Sequence, residues 1–210
     1  MANIRKIQRN GQLMNFYLID ANFLANKFIP YGRVTNNNEK IRVMRSQDWW
    51  LEIEAQLEQD KAVVYVPDLC IAEAFKVLAK KYYQDHYFRN PGEYKFSRDR
   101  LIDFIHMPPK VLRAFGRRVS VHDISTSRDI IIAVDRFFEI FFKHGLSASV
   151  IDLIILATAK YMIDFFKIPM KQIHIVTLDN SLWRGTRKVP DIPTAFNPNN
   201  YRELAQKIFI

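Results

Sequence analysis

The sequence predicts an α/β fold, a three-layer α/β/α sandwich with a mainly parallel central sheet. Four short runs of β-branched and aromatic residues stop abruptly, which is typical of strands. Segments with helical spacing of apolar residues lie between these runs, and strands that are connected through helices usually pair in parallel. The 210 residues, of which 49% are hydrophobic and 25% are charged, fit one globular domain over residues 1–210.

The expected strands end at polar or rigid residues. Asp20 directly follows the first strand, Pro67 stops the second, and Asp179 lies two residues after the fourth. The third strand alternates only in part and is the weakest prediction. The four strands are expected at residues 16–19, 63–66, 119–124 and 173–177.

Two helices are expected between the first three strands. Ser46 can cap a helix in which Trp50, Ile53 and Leu57 follow helical spacing. Asp68 can cap the next helix, over residues 69–83.

Two further helices are expected before the last strand. The first covers residues 128–143, and Gly145 can end it. The second opens at Ser149, reaches about residue 165 and is apolar nearly all round, so we expect it to be buried. One apolar face of the first helix is expected to hold Ile131, Val134, Phe138 and Phe141.

Two segments fall outside this pattern. Residues 84–120 are expected to be an insertion, and residues 190–210 a loop-like C-terminal tail with a last short helix. The insertion is basic, because residues 75–120 hold 11 Lys or Arg and four Asp or Glu, so most of the net charge of +9 is local. Such a surplus favours a polyanionic partner, although a solvated surface has the same composition.

Composition excludes several classes of protein. Cys70 is the single cysteine, which excludes an internal disulfide framework and a Cys-based zinc cluster, and we interpret it as a packed core thiol. The five histidines lack metal-binding spacing, and no Gly-rich nucleotide loop is present. The sequence has neither a bilayer-spanning apolar stretch nor a secretion signal, so we expect a cytoplasmic protein without membrane contact.

Two acids lie at the ends of expected strands. Asp20 follows the first strand and Asp179 the fourth. In open parallel sheets, ligands bind beyond the carboxyl ends of the strands, so both acids are expected at the functional edge. Taken singly, each is explained equally well as a loop or helix-capping residue.

Two more acids lie near the starts of apolar helices. Glu73 is about one turn too deep to be a simple cap, and its neighbours are apolar. Asp152 has a structural alternative, because it and Ser149 match the spacing of a capping box. For Asp152 alone we favour that interpretation.

The four acids together indicate a metal site. Carboxylates that converge without a counter-charge repel each other, and a divalent cation removes this conflict. Oxygen ligands without Cys or His favour Mg²⁺ or Mn²⁺, and such an ion suits phosphodiester chemistry.

The acids and their surroundings resemble the PIN-domain nuclease family over residues 16–182. The segments that carry the resemblance are, in chain order, Asp20-Ala21-Asn22 at a strand end, Pro67 followed by Glu73, Asp152 opening an apolar helix, and Thr177-Leu178-Asp179 after a strand. The resemblance implies a metal-dependent endoribonuclease that hydrolyses single-stranded or structured RNA and leaves a 5′-phosphate and a 3′-hydroxyl.

The resemblance also implies roles and partners. Asp20, Glu73, Asp152 and Asp179 would form the catalytic Mg²⁺ or Mn²⁺ site, which Asn22 and Thr177 would support. Members of the family often form homodimers, and many are toxins that a protein antitoxin neutralises, so both partners are expectations here. The chain departs from compact members by the longer, basic stretch between Glu73 and Asp152, where a different substrate choice is expected.

RNA contacts are expected outside the acids. The candidates are Lys80, Lys81, Arg98, Arg184 and Arg187. Six aromatic residues interleave with basic residues between positions 80 and 98, which suits stacking on unpaired bases, although packing under the insertion explains them equally well. Two other functions stay open: a catalytically inactive PIN-like module that binds RNA or protein, and an Asp-x-Asp phosphatase, which Asn22 disfavours.

Overall fold

A parallel sheet of five strands forms the centre of the molecule. The computed structural model describes residues 14–106 and 121–200. Within them the strands pair in the order β3-β2-β1-β4-β5, and all four pairings are parallel. The strands are β1 (Asn15–Ile19), β2 (Ala62–Pro67), β3 (Val121–Ile124), β4 (Ile173–Val176) and β5 (Ala195–Phe196). The predicted α/β/α sandwich with a parallel sheet is confirmed.

Helices cover both faces of this sheet. They are α1 (Ala21–Asn26), α2 (Asn37–Glu58), α3 (Asp68–Tyr83), α4 (Pro91–His106), α5 (Arg128–Lys143), α6 (Val150–Asp164) and α7 (Asn180–Gly185). Every residue of β1, β2 and β4 is buried, as is typical of parallel strands covered on both sides. Among the helices described, none is long and apolar enough to cross a membrane.

The predicted N-cap at Ser46 is wrong. The helix α2 begins at Asn37, and the side chain of Asn36 accepts hydrogen bonds from two backbone N–H groups of its first turn, at 2.9 and 3.2 Å. Ser46 lies fully buried inside the helix, where its hydroxyl donates to the Arg42 carbonyl at 2.7 Å. It also accepts a bond from Asn26 at 3.2 Å, so the serine joins α2 to α1.

The predicted helices α5 and α6 are confirmed in their bounds to within about one residue. Gly145, with a φ of 61°, ends α5 in a Schellman motif, in which the Leu146 N–H donates to the Phe141 carbonyl at 2.9 Å. The expected face of α5 is wrong in part, because Ile131 is 57% exposed. The buried positions of α5 are Ile130, Val134, Phe137 and Phe141.

The two segments outside the predicted pattern also contain regular structure. Within residues 84–120, α4 packs against α3 and buries Leu101. Within the tail, β5 adds a parallel edge strand beside β4, which the sequence analysis did not predict. Residues 107–120, the start of the third predicted strand among them, and the last predicted helix lie outside the described residues.

Candidate active site

Asp20 occupies the carboxyl end of the central strand. It follows β1, which pairs with β2 on one side and β4 on the other, and its side chain is buried. The hydroxyl of Thr177, which follows β4, donates to Asp20 Oδ2 at 3.1 Å. The same hydroxyl accepts the backbone N–H of Asp179 at 2.9 Å. One buried threonine therefore joins the ends of two neighbouring strands and two of the predicted acids.

Asp179 and Asp152 each cap a helix. Asp179 Oδ1 accepts the Leu182 N–H at 2.7 Å and so caps α7. Asp152 Oδ2 accepts the Ser149 N–H at 2.9 Å and the Ser149 hydroxyl at 2.7 Å, in a capping box at the start of α6. The structural interpretation that the sequence offered for Asp152 is thus confirmed, and Asp179 has a capping role as well.

Glu73 is linked to Asp20 and Asp152 through their shared electrostatic effect on the Cys70 thiol. Both residues lie on α3, one turn apart, and Cys70 is fully buried while Glu73 is half-buried. Burial raises the pKa of the Cys70 thiol well above its usual range, and the negative charges of Asp20, Glu73 and Asp152 raise it further. Three carboxylates from three separate elements therefore act on a single buried atom. The predicted core position of Cys70 is confirmed.

The electrostatics of the acids show mutual repulsion. Burial raises the pKa of Asp20 from 3.8 to about 7, and the charge of Asp152 contributes to this rise, while Thr177 and two backbone N–H groups oppose it. The pKa of Asp152 is also raised, first by burial and then by the charge of Asp179, against the hydrogen bonds from Ser149. Within residues 14–106 and 121–200, no ion pair includes any of the four acids.

The carboxylate groups of the candidate site are chemically suited to a hard cation, but they are not arranged around one metal position. Among the described residues, no group of three His, Cys, Asp or Glu side chains is arranged to hold a metal ion. Each capping carboxylate uses one oxygen, Oδ2 in Asp152 and Oδ1 in Asp179, so the other oxygen can serve a cation. Carboxylate oxygens are the donors that Mg²⁺ or Mn²⁺ prefers.

The remaining predicted residues differ in exposure and in the contacts they make. Asn22 is exposed in the first turn of α1, and Lys80, Arg98 and Arg184 are exposed as well. The ammonium of Lys81 is instead held in ion pairs with Glu39 and Asp85, at 3.1 and 2.9 Å. The guanidinium of Arg187 lies 4.0 Å from the centroid of the Trp183 ring and donates to the Trp183 carbonyl at 2.8 Å.

Two clefts lie elsewhere on the molecule. One, of about 390 Å³, lies between α5 and α6 and is lined by apolar residues that include Phe138 and Leu153. The other, of about 460 Å³, is lined by residues that include Lys27, Trp50 and Arg100. The four acids line neither cleft. The candidate site is defined by its charges and hydrogen bonds.

Comparison with known proteins identifies the fold. No family model and no curated protein matches the chain. The chain is similar to the structure of VapBC2 from Rickettsia felis bound to a promoter DNA fragment, at 11% identity and a TM-score of 0.50, over 87% of this chain and 98% of that one. It is also similar to FitAcB from Neisseria gonorrhoeae, at 17% identity and a TM-score of 0.50, over 87% and 97% of the two chains.

A third solved structure agrees with these two. FitAB bound to an IR36 DNA fragment is 18% identical, with a TM-score of 0.50, over 87% of this chain and 94% of that one. The VapC and FitB components of such complexes are PIN domains, so the chain has a PIN-like fold. Identities of this size show the fold alone.

Proposed function

We propose that the protein is a metal-dependent endoribonuclease that hydrolyses phosphodiester bonds of single-stranded or structured RNA. The observation that carries the proposal is the buried Asp20 carboxylate, which Thr177 holds at the carboxyl end of the central strand and whose pKa rises to about 7 beside Asp152. A carboxyl group held in this way at the ligand-binding edge of a parallel sheet is typical of a functional site. The PIN-like fold agrees with this assignment.

The residues divide the work of hydrolysis between them. Asp20, Asp152 and Asp179 would hold Mg²⁺ or Mn²⁺, which when bound supplies a Lewis acid for the phosphate and lowers the pKa of an attacking water. Thr177 fixes the Asp20 carboxylate in place, and Glu73 orients the water and takes its proton. The water oxygen attacks phosphorus in line and the P–O3′ bond breaks. The leaving O3′ takes a proton from solvent, so the products are a 5′-phosphate and a 3′-hydroxyl.

Cleavage of labelled single-stranded RNA tests this proposal. Wild type should cut the RNA in Mg²⁺ or Mn²⁺ and stop in EDTA, and Asp20→Asn should lose at least about 100-fold in rate, as loss of a first metal ligand implies. The matched control is Asp99→Asn, since Asp99 is an exposed acid on α4. Equal cleavage by Asp20→Asn and wild type would refute the role of Asp20.

An inactive PIN-like module that binds RNA or protein is the second candidate. The capping bonds of Asp152 and Asp179 favour it, because they give both acids a structural reason to be present. In this case the protein would bind RNA tightly without products, and Mn²⁺ would not change the affinity. The buried Asp20 carboxyl, whose pKa the charge of Asp152 helps to raise, favours the nuclease.

We also propose a protein antitoxin and a homodimer as partners. The antitoxin is supported by the similarity in fold to VapBC2 and FitAB, which are named as two-component assemblies. Co-expression with the product of the adjacent reading frame should yield a complex that suppresses cleavage. Light scattering on the purified chain should give twice its mass of 24.8 kDa, and a monomer at micromolar concentration would refute the dimer.

A further inference from the structure

The helix α3 presents one exposed stripe that starts at the candidate site. Glu73, Lys76, Lys80 and Tyr83 recur at steps of three or four residues and so share one face of the helix. The last three are exposed, and the opposite face is buried through Cys70, Ala74 and Leu78. At a rise of about 1.5 Å per residue, Tyr83 lies about 15 Å from Glu73 along the helix axis. We refer to Lys76, Lys80 and Tyr83 as the α3 track.

The two lysines of the α3 track differ from their neighbour Lys81. Within the described residues, no ion pair includes Lys76 or Lys80. The side chain of Lys81 is 14% exposed, and its ammonium is paired with Glu39 and Asp85 and lies 4.9 Å from the centroid of the Tyr87 ring. Lys81 therefore stabilises the packing of α3, whereas Lys76 and Lys80 present their charges to solvent.

The tyrosine of the α3 track is exposed and held by other rings. Tyr83 is 68% exposed, and its ring centroid lies 4.7 Å from that of Tyr82 and 6.0 Å from that of Tyr94, both edge-on. Tyr82 and Tyr94 stack in parallel at 4.6 Å, and the Arg98 guanidinium lies 5.7 Å from the Tyr94 ring centroid. A ring that is already fixed in this way loses little conformational entropy when a base stacks on it.

We propose that the α3 track binds single-stranded RNA, with phosphates at Lys76 and Lys80 and an unpaired base stacked on Tyr83. The lysine charges along α3 support an RNA strand that approaches the four acids from the Tyr83 end of the helix. A duplex keeps its bases stacked inside, so it can use the lysines but not the tyrosine. The inference rests on the proposed function, because the track leads to the Asp20 site.

RNA binding on an Asp20→Asn background tests the track without cleavage. We would measure the anisotropy of a labelled 12-nucleotide single strand, and of the same strand in a duplex, at several salt concentrations. Lys76→Gln/Lys80→Gln should raise Kd for both about tenfold and lower the salt slope for the single strand by about 1.4. Tyr83→Ala should raise Kd for the single strand about fivefold to tenfold and leave the duplex unchanged.

Matched controls lie at the opposite edge of the sheet. Lys61 and Lys171 are exposed and precede β2 and β4, so Lys61→Gln/Lys171→Gln removes equal charge far from the acids. Phe165 is 66% exposed and its ring contacts Tyr161 and Phe166 at 5.0 and 5.3 Å, so Phe165→Ala matches Tyr83→Ala. Both controls should change Kd less than twofold. Circular dichroism melts would confirm that each variant folds.

The possible outcomes distinguish a failure of the proposed RNA binding by the α3 track from a failure of the proposed nuclease activity. Track variants that retain their affinity, or that weaken it no more than the controls, would overturn the inference and leave this surface to a protein partner. Failure of the Asp20→Asn protein to bind single-stranded RNA would overturn it too. If the wild type binds RNA along the α3 track but does not cut it, the proposed nuclease activity alone is refuted. If the wild type cuts RNA while the α3 track variants keep the wild-type affinity and KM, the proposed RNA-binding role of the α3 track alone is refuted.

Discussion

The buried carboxyl group of Asp20 destabilises the folded chain when it is charged, and it lies at the centre of the candidate site. Its carboxyl group is buried beside Asp152, and only neutral groups, the Thr177 hydroxyl and two backbone N–H groups, oppose the rise of its pKa. A charge in such a place destabilises the folded chain unless a counter-ion is bound. A buried carboxyl with a strongly shifted pKa is typical of a functional site, and this is the basis of the role proposed for Asp20.

The stability of the metal-free protein should depend on the titration of Asp20. Its pKa is about 7 in the folded chain, against an ordinary value of 3.8, so the folded state holds a proton that the unfolded state has lost. The free energy of unfolding should therefore fall as the pH rises from about 4 to about 7, by up to about 4 kcal/mol. Denaturant titrations in EDTA would measure this decline.

The Asp20→Asn variant provides the control for that decline. In this variant the free energy of unfolding should lose most of its dependence on pH between these values. Millimolar Mn²⁺ should stabilise the wild type more at pH 8 than at pH 5.5. Equal slopes in wild type and variant would contradict the burial of a titrating Asp20.

The Thr177 hydroxyl should matter for both stability and catalysis. Thr177→Val keeps the shape but leaves the Asp179 N–H without its acceptor and removes the one side-chain hydroxyl that donates to Asp20, so that its two backbone N–H donors remain. We expect a loss of about 1–3 kcal/mol in unfolding free energy and about 10- to 100-fold in cleavage rate. Thr177→Ser keeps the hydroxyl and should retain most of both. Calorimetry and the RNA assay measure the two effects, and equal behaviour of Val and Ser variants would exclude a role for the hydroxyl.

Secondary elements were predictable where local chemistry decides them. Ser149 and Asp152 form the capping box that their spacing predicts, and Gly145 ends α5 in the left-handed conformation that favours glycine. The start of α2 was not predictable in this way, because a buried Ser46 that bonds to its own helix has the sequence signature of a cap. The strand β5 has two residues, too few to show any periodicity.

The packing of α7 on α5 depends on Gly185. A Cβ at this position would lie 2.4 Å from Phe141 Cζ, and Phe141 is buried. Gly185→Ala should therefore cost about 1–3 kcal/mol through overpacking. Gly32→Ala is the control, since no atom lies within 4 Å of the Cβ it would gain, and it should change stability by less than about 1 kcal/mol. Thermal melts of the pair test this, and equal melting temperatures would contradict the close approach.

The two serine caps should separate helix capping from metal binding. Ser149 caps α6 and bonds to Asp152, while Ser127 caps α5. Ser149→Ala and Ser127→Ala should each cost about 1 kcal/mol. Ser149→Ala alone should weaken Mn²⁺ binding, by about tenfold, because Asp152 loses a donor that holds it as a carboxylate. Isothermal titration with Mn²⁺ gives the affinity, and equal affinities in the two variants would separate Asp152 from the metal site.

The topology of the sheet explains which part of the candidate site could be predicted from the sequence. All pairings in the described sheet are parallel and β1 lies between β2 and β4, so acids that follow these strands share one edge. The direction of each side chain could not be predicted from the sequence, because it depends on contacts with residues that come close only when the chain folds. Lys81 illustrates this, since its ion-pair partner Glu39 lies 42 residues away in sequence.

The position of a bound cation is the most direct test of a single acidic site. Crystals of the wild type soaked in Mn²⁺ and measured at the manganese absorption edge should show an anomalous peak among Asp20, Asp152 and Asp179, and crystals of Asp20→Asn should lack it. A wild-type map without a peak at this edge of the sheet, or with manganese bound only elsewhere, would contradict the metal-dependent nuclease.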